Sequence, residues 1–433
     1  MEICEQNPHE SGLSSSKWMF ALCFLVYSSV YIARGNFAYA RTVMISDGVL
    51  DIGTAGVLSA VYFGCYAIGQ LVNGAAADKR PPFLLVTVGL CIIALSNAAM
   101  MLPVPALLRV FVWAVNGFGQ SMLWCPVFYI ISNVLHSKVR FTAITVVTLC
   151  TPIGKAACAW LSGLAVSFGK WQNVFLMASS VIAAVTILWI TGVLTLRKDL
   201  VIPQTAEKIS SRETHKKEGV FALLVKSGML FMLPAMLVYG LFLNGVVELI
   251  PSILSKEYGL SAASAALLDS LVPIIGSLGV ILSNLLYIKF FKRNEMKSAL
   301  FVMFISLLPM LIMLALTLGK GEGYLLGRYA DSALFVLTYG LVYVLQLSFG
   351  HFCVSLAPMR FTQFALAATF SGVANAVGYG GSAISSYVMS YAVERLPLWQ
   401  TVLVWIACLA AASVFLLLAL VKWNKFFKSI NET

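Results

Sequence analysis

The sequence predicts an all-α membrane protein of twelve transmembrane helices, in two six-helix halves related by pseudo-twofold symmetry. Three observations lead to this prediction. Of the 433 residues, 60% are hydrophobic and only 11% are charged, whereas a soluble domain is about one quarter charged. Apolar runs of about 20 residues recur along the whole chain, and such runs cross a bilayer as helices. Two similar segments, one in each half of the chain, indicate an internal duplication.

The apolar runs are separated by short polar connections, except after the sixth. Their approximate bounds are 17–42, 53–77, 82–103, 105–135, 140–168, 172–196, 228–254, 261–288, 297–318, 332–357, 361–392 and 398–421. The long connection has mixed charge and no apolar period, which is typical of a polar linker. We therefore predict an N-terminal tail over 1–16, an N-terminal half over 17–196, a linker over 197–227, a C-terminal half over 228–421 and a C-terminal tail over 422–433.

The charge distribution indicates how the chain is oriented in the membrane. The formal net charge is +11, and the basic residues concentrate in alternate connections and in the C-terminal tail. This asymmetry follows the positive-inside rule and predicts an inner (plasma) membrane protein with both termini in the cytoplasm. We therefore expect the partner of the positive charge to be the bilayer, and not nucleic acid. The first apolar run is too long for a cleaved signal peptide, so we expect it to be retained.

No pattern of metal, cofactor or enzyme chemistry is visible. The nine cysteines show no CxxC spacing, and the four histidines are dispersed, which argues against a metal site or a disulfide framework. We therefore predict a protein without cofactor or metal that is not an enzyme, and we expect a monomer.

The internal duplication is clearest in two segments that lie 220 residues apart. They are VRFTAITVVTLCTPIGKAACAWLSG, from residue 139, and MRFTQFALAATFSGVANAVGYGGSA, from residue 359. Each opens with Arg-Phe-Thr, at Arg140 and at Arg360, and continues through a run rich in Gly and Ala. They would be helices 5 and 11 of a duplicated six-helix unit, in which the substrate site lies near the bilayer midplane.

The first apolar run carries a permanent positive charge in the stretch YIARGNFAYA, residues 31–40. Arg34 lies 16 residues beyond Trp18, roughly 24 Å along a helix, and a charge at mid-bilayer costs several kcal/mol. The guanidinium offers a fixed fork of donors that fits a carboxylate or a phosphate. We predict that Arg34 anchors an anionic substrate; the alternative is a structural ion pair with a neighbouring helix.

A second buried cation is predicted at Lys155, which lies 15 residues beyond Arg140 and has Asn375 as its counterpart in the other half. A lysine there can bind an anion, carry a proton, or pair with an acidic neighbour, and the sequence leaves these alternatives open. Arg109 lies only a few residues inside helix 4, where we expect its side chain to reach outward to the lipid headgroups.

Two carboxylates inside predicted helices are candidates for proton coupling or gating. Glu248, in NGVVELIPS, and Asp269, in ALLDSLVP, lie toward the outer thirds of helices 7 and 8. Burial favours the neutral form of a carboxyl group, as a proton carrier requires. The alternative for both is a salt bridge or polar contact near the outer mouth of the protein.

Polar and aromatic side chains in the same helices are candidates for the lining of a binding cavity, since Tyr and Trp combine stacking with hydrogen bonding. They are Tyr31, Tyr62, Tyr66, Gln70, Trp124, Asn244, Asn375 and Tyr379. Packing within the bundle is the alternative role for each aromatic residue.

Two motifs carry a resemblance to a known family. GAAADKR, residues 74–80, resembles the Gly-x-x-x-Asp-Lys/Arg loop between helices 2 and 3 of the major facilitator superfamily, where Asp78 would lock helix ends together in one conformation. YIARGNFAYA is similar to the helix 1 signature Tyr-x-x-Arg-x-Asn-Phe of its organophosphate:phosphate antiporters, whose arginine binds phosphate and would be Arg34. The segments CYAIGQLVNGAAADK, GFGQSMLWCP, NGVVELIPSIL and GVANAVGYGGS resemble helices 2, 4, 7 and 11 of that branch, and Asp269 falls on its acidic position in helix 8.

Three positions depart from the antiporter pattern. The resemblance would place a second phosphate-binding arginine at Leu243, or at Asn244 after a one-residue slip, and a lysine at Gln70. The histidine of helix 5 is lost near Pro152, close to Lys155. A single arginine suits a monoanion or a zwitterion better than a dianionic phosphate: a carboxylate, a phosphodiester or an amino-acid-like solute.

We therefore predict a secondary active transporter, symporter or antiporter, that moves a small organic anion by alternating access. A proton-coupled exporter of drugs or other amphipaths, with Asp269 or Glu248 as proton carrier, is one alternative. It predicts that Arg34 can be replaced without loss of transport. A transport-inactive sensor of solutes is a further alternative.

Overall fold

The computed structural model describes residues 11–201, 219–260, 271–276, 278–319 and 325–431, together with Leu268 and Gly323. Within these residues the regular secondary structure is helical, which confirms the predicted all-α class. Eight of the described helices are long and apolar enough to cross a membrane, and nine if the pair Val220–Ser227 and Met229–Leu243, bent by 84°, is one span. The number twelve stays a prediction.

The helices of residues 11–201 form continuous runs with short breaks. They are α1 (Leu13–Ser46), α2 (Ile52–Ala77), α3 (Pro82–Met100), α4 (Ala106–Tyr129), α5 (Ser137–Val146), α6 (Cys150–Ser167) and α7 (Gln172–Leu196). A π-helical turn, Ile130–Val134, extends α4, and a 3-10 turn, Val147–Leu149, joins α5 to α6. The predicted helix 5 therefore consists of α5 and α6 together.

The described helices after residue 218 are shorter and more often broken. They are α8 (Val220–Ser227), α9 (Met229–Gly240), α10 (Ile250–Tyr258), α11 (Leu271–Gly276), α12 (Leu278–Leu285), α13 (Glu295–Ile305), α14 (Leu307–Gly319), α15 (Arg328–Gly350), α16 (Ala357–Met359), α17 (Ala367–Arg395) and α18 (Leu398–Asn431). The last helix continues ten residues past its predicted end at 421, since charged residues at a membrane surface do not stop a helix that has no Gly or Pro.

The chain divides into two compact units. Unit 1 consists of residues 1–216 and 358–376, and unit 2 of residues 217–357 and 377–433. In unit 1, α4 packs against α2 and α3, while α1 packs against α6 and α7. In unit 2, α18 packs against α9, α13 and α14, while α15 packs against α11 and α12. The boundaries predicted for the two halves remain predictions.

Large aromatic side chains form one end of the core of unit 1. Trp113 of α4 is 1% exposed and contacts the rings of Phe37 and Phe175, with centroids 5.4 and 6.0 Å away. Trp171, at the start of α7, packs against Phe175 at 6.0 Å. This cluster holds α1, α4 and α7 together at the end of α1 beyond Arg34.

Serine hydroxyls fasten the beginning of α1 to two other segments. Ser11 Oγ donates to Val134 O at 2.6 Å and accepts from Val201 N at 2.8 Å. Ser16 Oγ accepts from His136 N at 3.0 Å. The first helix begins at Leu13, earlier than predicted, and Ser11 just before it is bound to Val134, at the end of the π-helical turn, and to Val201, in the segment after α7.

The two Arg-Phe-Thr motifs have different conformations. The first lies inside α5, whereas the second forms a 3-10 turn, Arg360–Phe364, at the end of the helical run that starts at Arg328. Ala365 follows in the left-handed region, with φ 55°, which ends the run. The helix predicted from residue 361 therefore begins at Ala367.

Candidate functional site

Arg34 is half-buried in the middle of α1, and its guanidinium is held by neutral groups from two other helices. Its Nε donates to Gln120 Oε1 of α4 at 3.0 Å. Its Cζ lies 4.8 Å from the ring centroid of Tyr31 and 4.5 Å from that of Tyr66. Contacts of this kind attract a cation to the electron-rich ring face, by about 0.5–2 kcal/mol each. Together with the Gln120 bond, these contacts fix the position of the guanidinium.

Gln120 orients this arginine, and it is a residue that the sequence prediction missed. Its side chain is fully buried. Its Oε1 also accepts from Tyr62 OH at 2.7 Å, and its Nε2 donates to Ala33 O at 2.9 Å. Because the amide donates to a carbonyl at one end and accepts from two donors at the other, its orientation is determined. A polar amide inside the apolar segment GFGQSMLWCP was the signal that could have found it.

The predicted aromatic residues of unit 1 form one connected group around the arginine. The rings of Tyr62 and Tyr66 are stacked, with centroids 6.4 Å apart. Tyr27 connects Tyr31 to Trp124, because its ring lies 5.6 Å from that of Tyr31 and 5.0 Å from that of Trp124. Tyr31, Tyr62, Tyr66 and Trp124 were predicted; Tyr27 was not.

Trp124 also reaches the beginning of α17, which belongs to the same unit. Its Nε1 donates to Ser371 Oγ at 2.9 Å. Asn375 is buried and lies one turn after Ser371, hence on the same helix face. Tyr379 lies one turn further, in unit 2, and is half-buried.

Gln70 lies one turn beyond Tyr66 on α2 and is fully buried. Its Nε2 donates to Ser121 O at 3.4 Å, and its Oε1 accepts from Cys125 Sγ at 3.2 Å. The amide thus connects α2 to α4, and its predicted contact with a substrate stays a prediction.

Lys155 is half-buried on α6, in a segment that packs closely on α1. One turn earlier, the Thr151 hydroxyl donates to Tyr31 OH at 2.8 Å. One turn later, Cys158 Sγ donates to Ile32 O at 3.4 Å. Residues spaced in this way share a helix face, so Lys155 lies on the face of α6 that contacts the arginine-bearing part of α1.

Asp78 caps the N-terminus of α17 from the end of α2. Its carboxylate accepts from the backbone N–H of Ala368 at 3.2 Å, and from the N–H and hydroxyl of Thr369 at 2.7 and 2.6 Å. These N–H groups have no partner within their own helix, and a negative charge there is stabilised by the helix dipole. The residue before α17, Leu366, cannot act as a side-chain cap, so Asp78 takes the place of an N-cap residue.

Two glycines allow close contact between α2 and α17, about one turn from the Asp78 cap. A Cβ on Gly74 would lie 3.1 Å from Gly372 Cα, and a Cβ on Gly372 would lie 2.6 Å from Gln70 O. The second distance is too short for any side chain without a backbone shift. The two helices are therefore in backbone contact along one turn.

The side chain of Arg109 does not have the outward orientation that the sequence predicts. Its side chain is 5% exposed and turned into the protein, with Nη1 donating to Met100 O and Nε to Val104 O, both at 3.1 Å. Its Cζ lies 5.1 Å from the ring centroid of Trp171. It binds the Met100 carbonyl at the C-terminus of α3, where the helix dipole favours a cation, and the Val104 carbonyl in the connection that follows, and so does not extend to the headgroups.

Three of the predicted residues lie in segments that are described only in part or not at all. Asp269 lies outside the described residues. Asn244 and Glu248 lie on the described backbone of a π-helical turn, Leu241–Val246, and a 3-10 turn, Val247–Leu249, but their side chains lie outside the described residues. Leu243, on the same π-helical turn, is half-buried.

These features define a helical membrane protein with a charged site inside its bundle, and comparison with known proteins gives its family. The family model described as Major Facilitator Superfamily matches residues 23–386. The chain belongs to this superfamily and is a multi-pass integral membrane transporter.

Relatives with assigned functions are distant, and two of them cover nearly the whole chain. A probable hexose phosphate transport protein of Chlamydia trachomatis is 24% identical, over 96% of this chain and 92% of the relative. A glycerol-3-phosphate transporter of Bacillus subtilis is also 24% identical, over 98% of each chain. A hexuronate transporter of Bacillus subtilis is 22% identical, over 69% of this chain and 71% of the relative. The predicted resemblance to the hexose phosphate and glycerol phosphate transporters is confirmed.

Solved structures show the same fold. The proton:xylose symporter XylE superposes with a TM-score of 0.69 over 93% of this chain and 94% of its own, at 14% identity. A bacterial homologue of the iron transporter ferroportin, in its outward-facing state, superposes with a TM-score of 0.66 over 96% and 99%, at 12% identity. The predicted major facilitator fold is therefore confirmed.

Proposed function

We propose that this protein is a secondary transporter of a small organic anion and that Arg34 binds the anionic group. The observation that carries the proposal is the setting of Arg34. Gln120 and the rings of Tyr31 and Tyr66 hold the guanidinium in one orientation. A guanidinium fixed in this way has a preorganised fork of donors for a carboxylate or phosphate.

The relatives support an anionic substrate. The compounds in their names are a hexose phosphate, glycerol-3-phosphate and a hexuronate. Each of these is a hydroxylated carbon skeleton with a phosphate or carboxylate group. The apolar Leu243 stands where the antiporter resemblance would place a second arginine. A monoanion needs only one arginine, so we propose a carboxylate, a phosphodiester or a zwitterion as the substrate class.

The proposed mechanism is alternating access between the two halves of the fold. A charge pair is stronger where water is excluded, so a substrate anion bound to Arg34 would favour the closed states through which the site changes sides. Asp78 would stabilise one of these states, and Asp269 and Glu248 are the proposed groups for coupling or gating. We place the protein in the plasma membrane with both termini in the cytoplasm.

Ligand binding and uptake together test this proposal. The purified protein is screened by thermal shift against glucuronate, glycerol-3-phosphate, a glycerophosphodiester, inorganic phosphate and, as a neutral control, glucose. A stabilising compound is then used for uptake into liposomes at several pH values, with and without internal phosphate. Dependence on a proton gradient would indicate symport, and dependence on internal phosphate would indicate exchange.

Variants of Arg34 assign the site. We expect Arg34→Ala to abolish both the thermal shift and uptake, and Arg34→Lys to retain part of the binding, because it keeps the charge and loses the planar fork. Arg41→Ala is the matched control, since it removes an exposed arginine from the same helix. Uptake by Arg34→Ala at the wild-type rate would refute the anion site and favour the proton-coupled exporter.

A further inference from the structure

An apolar groove runs along the outer surface of unit 2, between α13–α14 and α18. Its volume is about 610 Å³. The lining is Phe291, Lys297, Leu300, Phe301, Phe304, Leu307, Ala410, Ser413, Val414, Leu417 and Leu420. The Ser413 hydroxyl donates to Leu409 O of its own helix, which leaves Lys297 as the charged group of the lining. The long apolar part of the groove fits an acyl chain.

Basic residues from two segments meet at the end of the groove that Lys297 marks. Lys289 lies in a π-helical turn, Leu286–Phe290, Lys292 and Arg293 lie in the turn between it and α13, and Lys425 lies in the last part of α18. Asn294 Nδ2 donates to Asn424 Oδ1 at 2.8 Å, which brings these two segments together. Lys297 itself is exposed at the first turn of α13.

Glu295, the first residue of α13, is buried and is not part of the groove lining. Glu295 is 2% exposed and accepts from Tyr287 OH at 2.7 Å, so it faces the interior of unit 2. Lys292, Lys297 and Lys425 stand on the surface. The end of the groove therefore presents positive charge beside an apolar channel.

A second apolar groove, in unit 1, has no basic residue in its lining and serves as a comparison. It has a volume of about 560 Å³ and is lined by Val61, Leu107, Leu108, Val110, Phe111 and Ala114. The neighbouring cation, Arg109, is turned away to Met100 O and Val104 O. Any acyl chain would fit this groove, since its lining has no group that selects a headgroup.

We propose that the groove of unit 2 is a binding site for an anionic phospholipid. One acyl chain lies along Phe301, Phe304 and Leu417, and the headgroup phosphate binds to Lys297, with Lys292 and Lys425 beside it. Basic clusters at the ends of membrane helices bind anionic lipids through charge, and an apolar channel continuous with the cluster adds the burial of the chain. This site is independent of Arg34 and of the transported solute.

Native mass spectrometry and thermal shift of the full chain in a neutral detergent test the site. Phosphatidylglycerol and phosphatidylcholine with identical acyl chains are titrated in parallel, with inorganic phosphate and glycerol-3-phosphate as headgroup-only probes. We expect one phosphatidylglycerol to be retained and to raise the Tm more than phosphatidylcholine, and neither soluble probe to reproduce this. Equal retention of both lipids would overturn the proposal.

Variants locate the lipid. We expect Lys297→Gln to weaken the preference for phosphatidylglycerol about fivefold. Lys297→Arg, which keeps the positive charge, should retain the preference. Leu417→Trp, which fills the channel, should reduce retention while the basic end is intact. Lys138→Gln, an exposed lysine at the start of α5, and Leu108→Trp, in the second groove, are the matched controls. An equal loss in Lys138→Gln and Lys297→Gln would show that the lipid binds by surface charge alone and would refute the site.

Discussion

The carboxylate of Asp78, at the end of α2, binds both the backbone N–H and the hydroxyl of Thr369, at 2.7 and 2.6 Å. Residues 78 and 369 are 291 positions apart, so the cap of α17 comes from a distant part of the chain. A helix that is capped from outside loses its cap when the two segments separate. We therefore propose that the contact forms in only some conformations of the transporter, which is the gating role that we predict for Asp78.

We expect Asp78→Asn to reduce transport strongly. The substitution keeps the shape of the side chain and removes the charge, and a hydrogen bond to a charged group contributes about 1.5–3 kcal/mol. Thr369→Val should have a smaller effect, because the N–H bonds remain, and Thr369→Ser should behave like wild type. Uptake and Tm are measured for all three. Wild-type uptake by Asp78→Asn would contradict a role in the transport cycle.

Substitutions of Gln120 test the proposed role of Arg34 while the arginine itself is kept. We expect Gln120→Glu to lower substrate affinity by at least about tenfold, because it places a carboxylate of the same shape beside the guanidinium and competes with the substrate. Gln120→Leu should lower affinity less, through the loss of orientation. The KM for uptake and the thermal shift on ligand addition are the measurements.

Tyr62→Phe is the control for Gln120. It removes one of the two hydrogen bonds to Gln120 Oε1 and leaves the bonds to Arg34 and Ala33 in place. We expect a small rise in KM. If Gln120→Glu lowered the Tm without changing the KM, Gln120 would be a structural residue only.

The glycine contact between α2 and α17 predicts a contrast between two glycines of one helix. We expect Gly372→Ala to lower the Tm and the rate of uptake, because its methyl group would lie 2.6 Å from Gln70 O, and overpacking costs about 1–3 kcal/mol. Gly380→Ala should be neutral, because a Cβ there meets no atom within 4 Å among the described residues. Equal effects of the two substitutions would show that helix propensity, and not the contact, is responsible.

Asp51, the N-cap of α2, predicts a dependence of stability on pH. The Thr54 hydroxyl and N–H bind its carboxylate at 2.6 and 2.9 Å and hold its pKa below the ordinary value of 3.8. A lowered folded-state pKa stabilises the protein above the unfolded-state pKa, and this stabilisation is lost as the pH falls through the folded-state pKa. We expect Asp51→Ala to lower the Tm by a constant amount between pH 7 and pH 5, and by less below about pH 4.

Asp47→Ala is the matched control for this effect, since it removes an exposed carboxylate from the same connection and leaves the cap intact. A Tm difference for Asp51→Ala that was as large at pH 3 as at pH 7 would show that the ionised cap is not its source.

Part of the site could be predicted because its signals are local. Arg34 was predicted from a charge within an apolar run, and Tyr31, Tyr62, Tyr66 and Trp124 from their position on the same or neighbouring helices. The structure brings these five residues into one group. Gln120 was missed because a buried amide is usual in a membrane bundle, and only the contact with Arg34 gives it a distinct role.

Other predictions failed where the outcome depends on a distant partner. Arg109 was expected to reach the headgroups, as its depth permits, but the Met100 carbonyl at the end of α3 and the Trp171 ring bind it inside the protein. The helix predicted to begin at residue 361 begins at Ala367, because Ala365 ends the preceding run and Asp78 supplies the cap.

The sequence by itself determined that this chain is a helical membrane protein of the major facilitator superfamily with a buried arginine in its first helix. These properties depend on the apolar length of each segment and on short motifs, and lipid leaves the backbone few alternatives to the helix. Only the tertiary structure decided that Gln120 and two tyrosines orient Arg34, and that Asp78 caps α17. Side-chain contacts between helices depend on rotation and spacing of whole helices, and those come from packing across the bundle.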